Sequence, residues 1–103
     1  MIPLKTIEEL ISKHALLEND LSSGNIDKKL FAEKSKEYSD LNEIIKDAKK
    51  YISYENDKLE LQKILDDKGV DKELIKMAEI ELNNLKSENK ENEKKLRLFL
   101  LPK

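Results

Sequence analysis

A chain of 103 residues is one small domain or a piece of a longer protein, and 41% charged residues with two glycines and two prolines is the profile of long helices, not sheets. The net charge of −2, with both signs interleaved and Arg97 the single arginine, gives no basic field for nucleic acid and disfavours bidentate base readout. The absence of cysteine excludes disulfides, zinc–cysteine sites and thiol chemistry, and no apolar run approaches the ~18 residues of a membrane span or forms a signal-peptide core.

The first helix is expected over 6–21. Thr6-Ile7-Glu8-Glu9 reads as a capping box, with Thr6 as N-cap. Ile7, Leu10, Ile11, His14, Leu17 and Leu21 then share one face. Gly24 supplies the left-handed conformation that a helix C-terminus needs.

The second helix is expected over 28–66. Asp27 is placed as its N-cap, with Ile26 and Phe31 set to form a hydrophobic staple. Phe31, Tyr38, Ile45, Ile52 and Leu59 repeat every seven residues. Leu41, Ala48, Glu55 and Gln62 fill the alternate heptad position, apolar only in the first half. Ile44, Tyr51 and Leu65 widen the stripe, as a third packed helix requires. Pairs such as Glu43 with Lys46, Asp47 with Lys50 and Glu60 with Lys63 suit the exposed side. Asp40-Leu41-Asn42-Glu43 also matches a capping box, and Ser53-Tyr54-Glu55-Asn56-Asp57 is rich in poor helix formers. A kink or break at either place would give four helices.

Asp66-Asp67-Lys68-Gly69 forms the second break, with Gly69 read as the C-cap glycine and Asp71 as the next N-cap. The third helix, expected over 72–101, carries the heptad series on which the chain is organised: Ile75, Ala78, Leu82, Leu85, Asn89, Asn92, Leu96 and Phe99. Asn89 and Asn92 are the polar members and are read as register-setting. Two short turns favour an all-α, antiparallel three-helix bundle, or a long helical hairpin with a shorter first helix. Pairing outward from the second turn sets Leu85 near Ile52 and Phe99 near Tyr38. The first helix then covers only the end of the hairpin away from Asp66–Asp71. Glu55 and Gln62 occupy seam positions beyond its reach, so the tip is expected to pack thinly.

Little in the sequence points to catalysis. His14 is the one histidine and falls on an apolar stripe, without a second histidine or cysteine to complete a metal site. Asp66-Asp67 lacks the ligand spacing of a calcium loop. The two glycines are far apart, so no phosphate-cradling loop exists. Tyr38, Tyr51 and Tyr54 sit at helical spacing, as core or rim residues. No cofactor is implied. Within Leu96 to Leu101 only Arg97 is polar, and successive side chains turn by about 100°, so Leu98, Leu100 and Leu101 cannot all face one core with Leu96 and Phe99. Either the first helix with Ile2 and Leu4 folds over them, or they form a docking surface through which the chain alone self-associates.

Three segments carry a family resemblance. Leu98-Phe99-Leu100-Leu101-Pro102-Lys103 resembles the Leu-Leu-Pro-Lys segment near the start of bacterial class I peptide chain release factors. Glu37-Tyr38-Ser39-Asp40-Leu41 is similar to the family's Glu-Tyr-x-x-Leu, and Met77-Ala78-Glu79-Ile80-Glu81-Leu82 to its Met-Ala-x-x-Glu-Leu. The Asp66-Asp67 turn falls where the family has an acidic turn. The type reading UAA and UAG is the nearer match.

The resemblance implies that residues 1–103 form a single helical domain, the N-terminal fragment of a longer chain. It implies a non-catalytic interaction and positioning domain of a cytoplasmic translation termination factor. Its partners would be the stalk-base region of the large ribosomal subunit, the factor's remaining domains and accessory termination proteins, with no membrane and no sequence-specific nucleic-acid binding by this segment. The hydrolytic Gly-Gly-Gln and the codon-reading Pro-x-Thr of that family are absent from the sequence. Periodicity alone fits a free-standing coiled-coil adaptor or small helical chaperone equally well.

Overall fold

The computed structural model describes residues 1–102 and contains three α-helices: α1 (Leu4–Ser23), α2 (Lys28–Asp66) and α3 (Lys72–Leu100). No strand occurs among the described residues. α2 is the axis of the molecule. Its 39 residues at ~1.5 Å each reach ~58 Å, close to the longest dimension of 61 Å. α1 and α3 both pack along it. α1 meets α3 through side chains alone, where Ile2 and Ile7 join the core cluster that holds Leu96.

α1 starts earlier than the capping-box reading allows. Pro3 is its N-cap residue, and the Thr6 N–H donates to the Pro3 carbonyl at 3.1 Å, so Thr6 lies within the first turn. Proline's fixed φ, here −58°, and its missing N–H suit a helix entry. The decisive partner is distant in sequence. The Ile2 N–H donates to the Tyr51 hydroxyl, and that hydroxyl donates to the Ile2 carbonyl, both at 3.0 Å. This clasp holds Ile2 in the core at 6% exposure. At the other end Gly24 caps α1 with φ +76°.

α2 starts after Asp27 as expected, but the Asp27 side chain makes no capping bond; its carbonyl accepts from Phe31 N–H at 2.8 Å. The helix runs unbroken through both suspected interruptions. At the first, Leu41 and Ile44 are buried, so tertiary packing overrides a local start signal. At the second, Ser53 Oγ donates back to the Lys50 carbonyl at 3.2 Å, and Lys58 bridges Glu55 at 3.4 Å. Gly69 is not a left-handed cap. α2 ends at Asp67, which is extended, and Asp67 Oδ1 accepts from Gly69 N–H at 2.9 Å. Asp71 does cap α3, its carboxylate accepting from Glu73 N–H at 3.4 Å.

The buried face of α2 is Leu41, Ile44, Ala48 and Tyr51. Phe31 and Leu59, placed in the seam by strict seven-residue counting, are 47% and 57% exposed. A straight helix drifts ~20° per heptad from such a repeat, which carries Leu59 off the seam. The same drift leaves Glu55 and Gln62 on the surface. Phe31 lies so near the α1–α2 turn that α3 ends before reaching it. Lys50 bridges Glu88 across the hairpin at 2.5 Å, with Asp47 near enough to act on it through its charge. In the expected pairing Glu88 lies opposite Lys49, the neighbour of Lys50.

α1 lies antiparallel to the first half of α2. Lys34 Nζ reaches Asp20 Oδ2 at 2.8 Å, Lys13 pairs with Glu37, and Tyr51 holds Ile2. The core therefore centres on the middle of α2, where α1 and α3 both reach it, around Ile7, Ile44, Ala48, Tyr51 and Leu96. Full burial of Ile7 and of Leu96 contributes about 1.5–3 kcal/mol each. Beyond Tyr54 the molecule is a two-helix hairpin.

Candidate functional site

Two arrangements of polar groups stand out. In the α1–α2 interface His14 is 9% exposed. Its ring stacks on Tyr38 with centroids 4.7 Å apart, and its Nε2 lies 3.1 Å from Asn42 Oδ1. One ring face and one nitrogen are engaged in the interface, which suits a structural histidine. No cluster of three or more His, Cys, Asp or Glu side chains that could hold a metal occurs among the described residues.

The second arrangement lies between α2 and α3. Asn89 and Asn92 come together on the wall of a cleft of about 220 Å³, with Lys50, Tyr54, Leu85 and Glu88. Asn92 is 5% exposed. Asn89 holds its Oδ1 buried without a donor among the described residues. A buried acceptor left unpaired costs about 1–3 kcal/mol. The Lys50 ammonium rises above its ordinary pKa, first through the hydrogen bond it donates to Glu88 and then through that carboxylate's charge. A raised lysine pKa adds stability that is present below 10.5 and is lost as pH climbs through the folded value. Lys50 is solvent-exposed, so the contribution is screened.

The leucines at the end of α3 divide. Leu96 is fully buried and Phe99 half-buried. Leu98, Leu101 and Leu100 are 69%, 59% and 37% exposed, and neither α1 nor the lead-in covers them. Ile2 is drawn instead into the core on the Tyr51 side, and Leu4 is 40% exposed. The Tyr51 clasp was hidden from sequence reasoning; the one local signal was an isoleucine placed directly before Pro3.

No helix among the described residues is long and apolar enough to cross a membrane. The sequence profile of the PCRF domain matches residues 10–103. Peptide chain release factor 1 of Pelagibacter ubique is 69% identical over 103 residues, which cover all of this chain and 29% of that protein. Peptide chain release factor 1 of Orientia tsutsugamushi (strain Boryong) is 37% identical over 98 residues, 94% of this chain and 27% of that protein. The factor of the same name from Magnetococcus marinus is 34% identical over 99 residues, again 94% and 27%. The chain thus spans under a third of the length of these relatives. No solved structure matches it significantly.

Proposed function

This chain belongs to the PCRF-domain family, and we propose that it is the N-terminal, non-catalytic helical domain of a translation termination factor that acts on the ribosome at stop codons. The observation that carries this reading is 69% identity, across the whole chain, to a peptide chain release factor 1. The chemistry of the chain agrees. Its two glycines, Gly24 and Gly69, are not adjacent, so it holds no Gly-Gly-Gln to promote peptidyl-tRNA hydrolysis. A rigid rod anchored on a 39-residue helix is suited to spanning distance and presenting surfaces. The domain works in the cytoplasm, where ribosomes are. Its partners are the stalk-base region of the large subunit, accessory termination proteins, and the remaining domains of the same factor.

The exposed leucines find a role in this reading. Leu98, Leu100 and Leu101 dock the domain that follows α3, and Asn89 with Asn92 fixes the register of α3 against α2. The reading is tested by the parent reading frame. It should continue past Lys103 into a segment containing Gly-Gly-Gln. A stop codon directly after Lys103, or a continuation without that motif, overturns it.

A further inference from the structure

The α2–α3 hairpin carries a groove that no residue of α1 lines. Its lower part is open, about 410 Å³ in volume. The floor is aliphatic: Leu61, Ile64 and Leu85, each half-buried. The rim is acidic, with Asp57 and Glu60 on α2 and Glu81 on α3. No lysine or arginine lines this part, and none of these three carboxylates has a salt-bridge partner among the described residues. Glu88, at the junction with the upper cleft, is engaged by Lys50. The upper cleft shares Asp57, Leu85 and Glu88 with the lower part, so the two are continuous. Asn89, with its buried and donorless Oδ1, lines that upper stretch.

These features select one kind of occupant. An aliphatic floor between two helices suits the apolar stripe of a third helix. Unpaired carboxylates along both walls favour cations and repel phosphate backbones. We propose that this groove binds a basic amphipathic helix of a partner protein, with leucine-like residues on the floor and Lys or Arg heads against Asp57, Glu60 and Glu81. From Lys50 to Ile64 the groove runs ~21 Å along α2, which accommodates about four helical turns. The charge pattern does not depend on the termination-factor reading, and it concerns a surface remote from Leu98–Leu101.

The test uses three synthetic peptides of about 15 residues, long enough for the four turns. One has leucines at a three-four spacing flanked by lysines and arginines. The second replaces every basic residue by glutamate, and the third keeps the charges but replaces leucine by serine. Fluorescence anisotropy with the chain should show the first binding at least about tenfold tighter than either control. Amide chemical shifts should move along 50–64 and 81–92. Glu60→Lys with Glu81→Lys, both at exposed positions whose fold is checked by circular dichroism, should shift preference to the glutamate peptide. Asp57→Lys should weaken the basic peptide independently. Equal binding of the three peptides, no binding at all, or shifts confined to 96–101 would overturn the proposal. So would tighter binding of a homopolymeric RNA, or groove shifts appearing on concentration without peptide, which would make a second copy the occupant.

Discussion

Removing one oxygen from Tyr51 should loosen α1 more than any exposed change. In Tyr51→Phe the ring stays in the core and the hydroxyl goes. Ile2 then loses both partners, the acceptor of its N–H and the donor to its carbonyl, each at 3.0 Å. Two buried groups left unpaired would cost about 1–3 kcal/mol apiece. The chain has a cheaper escape. Residues 1–3 can leave the core and hydrate the Ile2 backbone, forfeiting only the burial of one isoleucine, about 1.5–3 kcal/mol. The smaller of the two sets the loss, so about 2–3 kcal/mol is expected, a fall in Tm of about 10 °C for a domain of this size. Chemical denaturation gives the free energy, and amide hydrogen exchange locates it. Exchange should rise first in α1, since α1 alone is tied by the clasp. Tyr54→Phe is the control. Tyr54 is half-buried and its ring lies beneath the Lys58 ammonium at 5.3 Å, a contact phenylalanine keeps; it should change stability by less than ~0.5 kcal/mol. A Tyr51→Phe protein as stable as wild type, or one whose exchange rises equally in all three helices, would refute the reasoning.

Gly24→Ala should cost about 1–2 kcal/mol because φ is +76°, with nothing near the new methyl group to add strain, whereas Gly69→Ala, whose φ is not positive and whose nearest neighbour is Asp67 Oδ1 at 3.4 Å, should be within ~0.5 kcal/mol of neutral by urea titration. Asn89→Leu combined with Asn92→Leu should raise Tm by removing an orphan buried acceptor, while broadening the oligomer distribution seen by sedimentation; a lowered Tm would show that the amides form a network worth keeping. Light scattering over a dilution series should detect self-association of the chain that Leu98→Ser with Leu100→Ser abolishes; a wild type monomeric at every concentration would sink the docking role of those leucines.

The parts of the fold legible in the sequence are those set by neighbours in the chain. Gly24 and Asp71 mark helix ends by local backbone and side-chain chemistry, and both act as their residue types suggest. The apolar stripes of α1 and α3 show directly which faces turn inward. What was illegible depends on residues far apart. The start of α1 belongs to Pro3 and not Thr6 because Tyr51, 49 positions from Ile2, ties the lead-in down. Gly69 resembled a cap, but the Asp67 side chain already turns the chain there. Counting in sevens misplaced Leu59, since α2 follows 3.6 residues per turn, and Phe31, which lies beyond the end of α3. The acidic groove was hidden for a similar reason. Asp57, Glu60 and Glu81 read singly as solvated charges, and only the hairpin places them around one aliphatic floor.

The uneven distribution of packing gives the groove a second consequence. Near Ile7, Tyr51 and Leu96 three helices share one core. Past Tyr54 a single seam between α2 and α3 holds the tip, with Leu74, Met77 and Ile80 between 44% and 60% exposed. Local opening free energies follow buried contacts, so 57–74 should open more easily than the core. A helix laid in the groove would contact α2 and α3 together and bind only the closed hairpin. Such a ligand stabilises the closed form by RT ln(1 + [L]/Kd), about 2.7 kcal/mol at a hundredfold excess over Kd. That energy acts on the tip and not on α1, because the groove is lined by residues from Lys50 onward and by none of α1. Occupancy of the groove and rigidity of the tip are therefore one equilibrium: exchange slowed in 57–74 by the basic peptide, with α1 unchanged, is the signature that separates a bound third helix from general screening of charge.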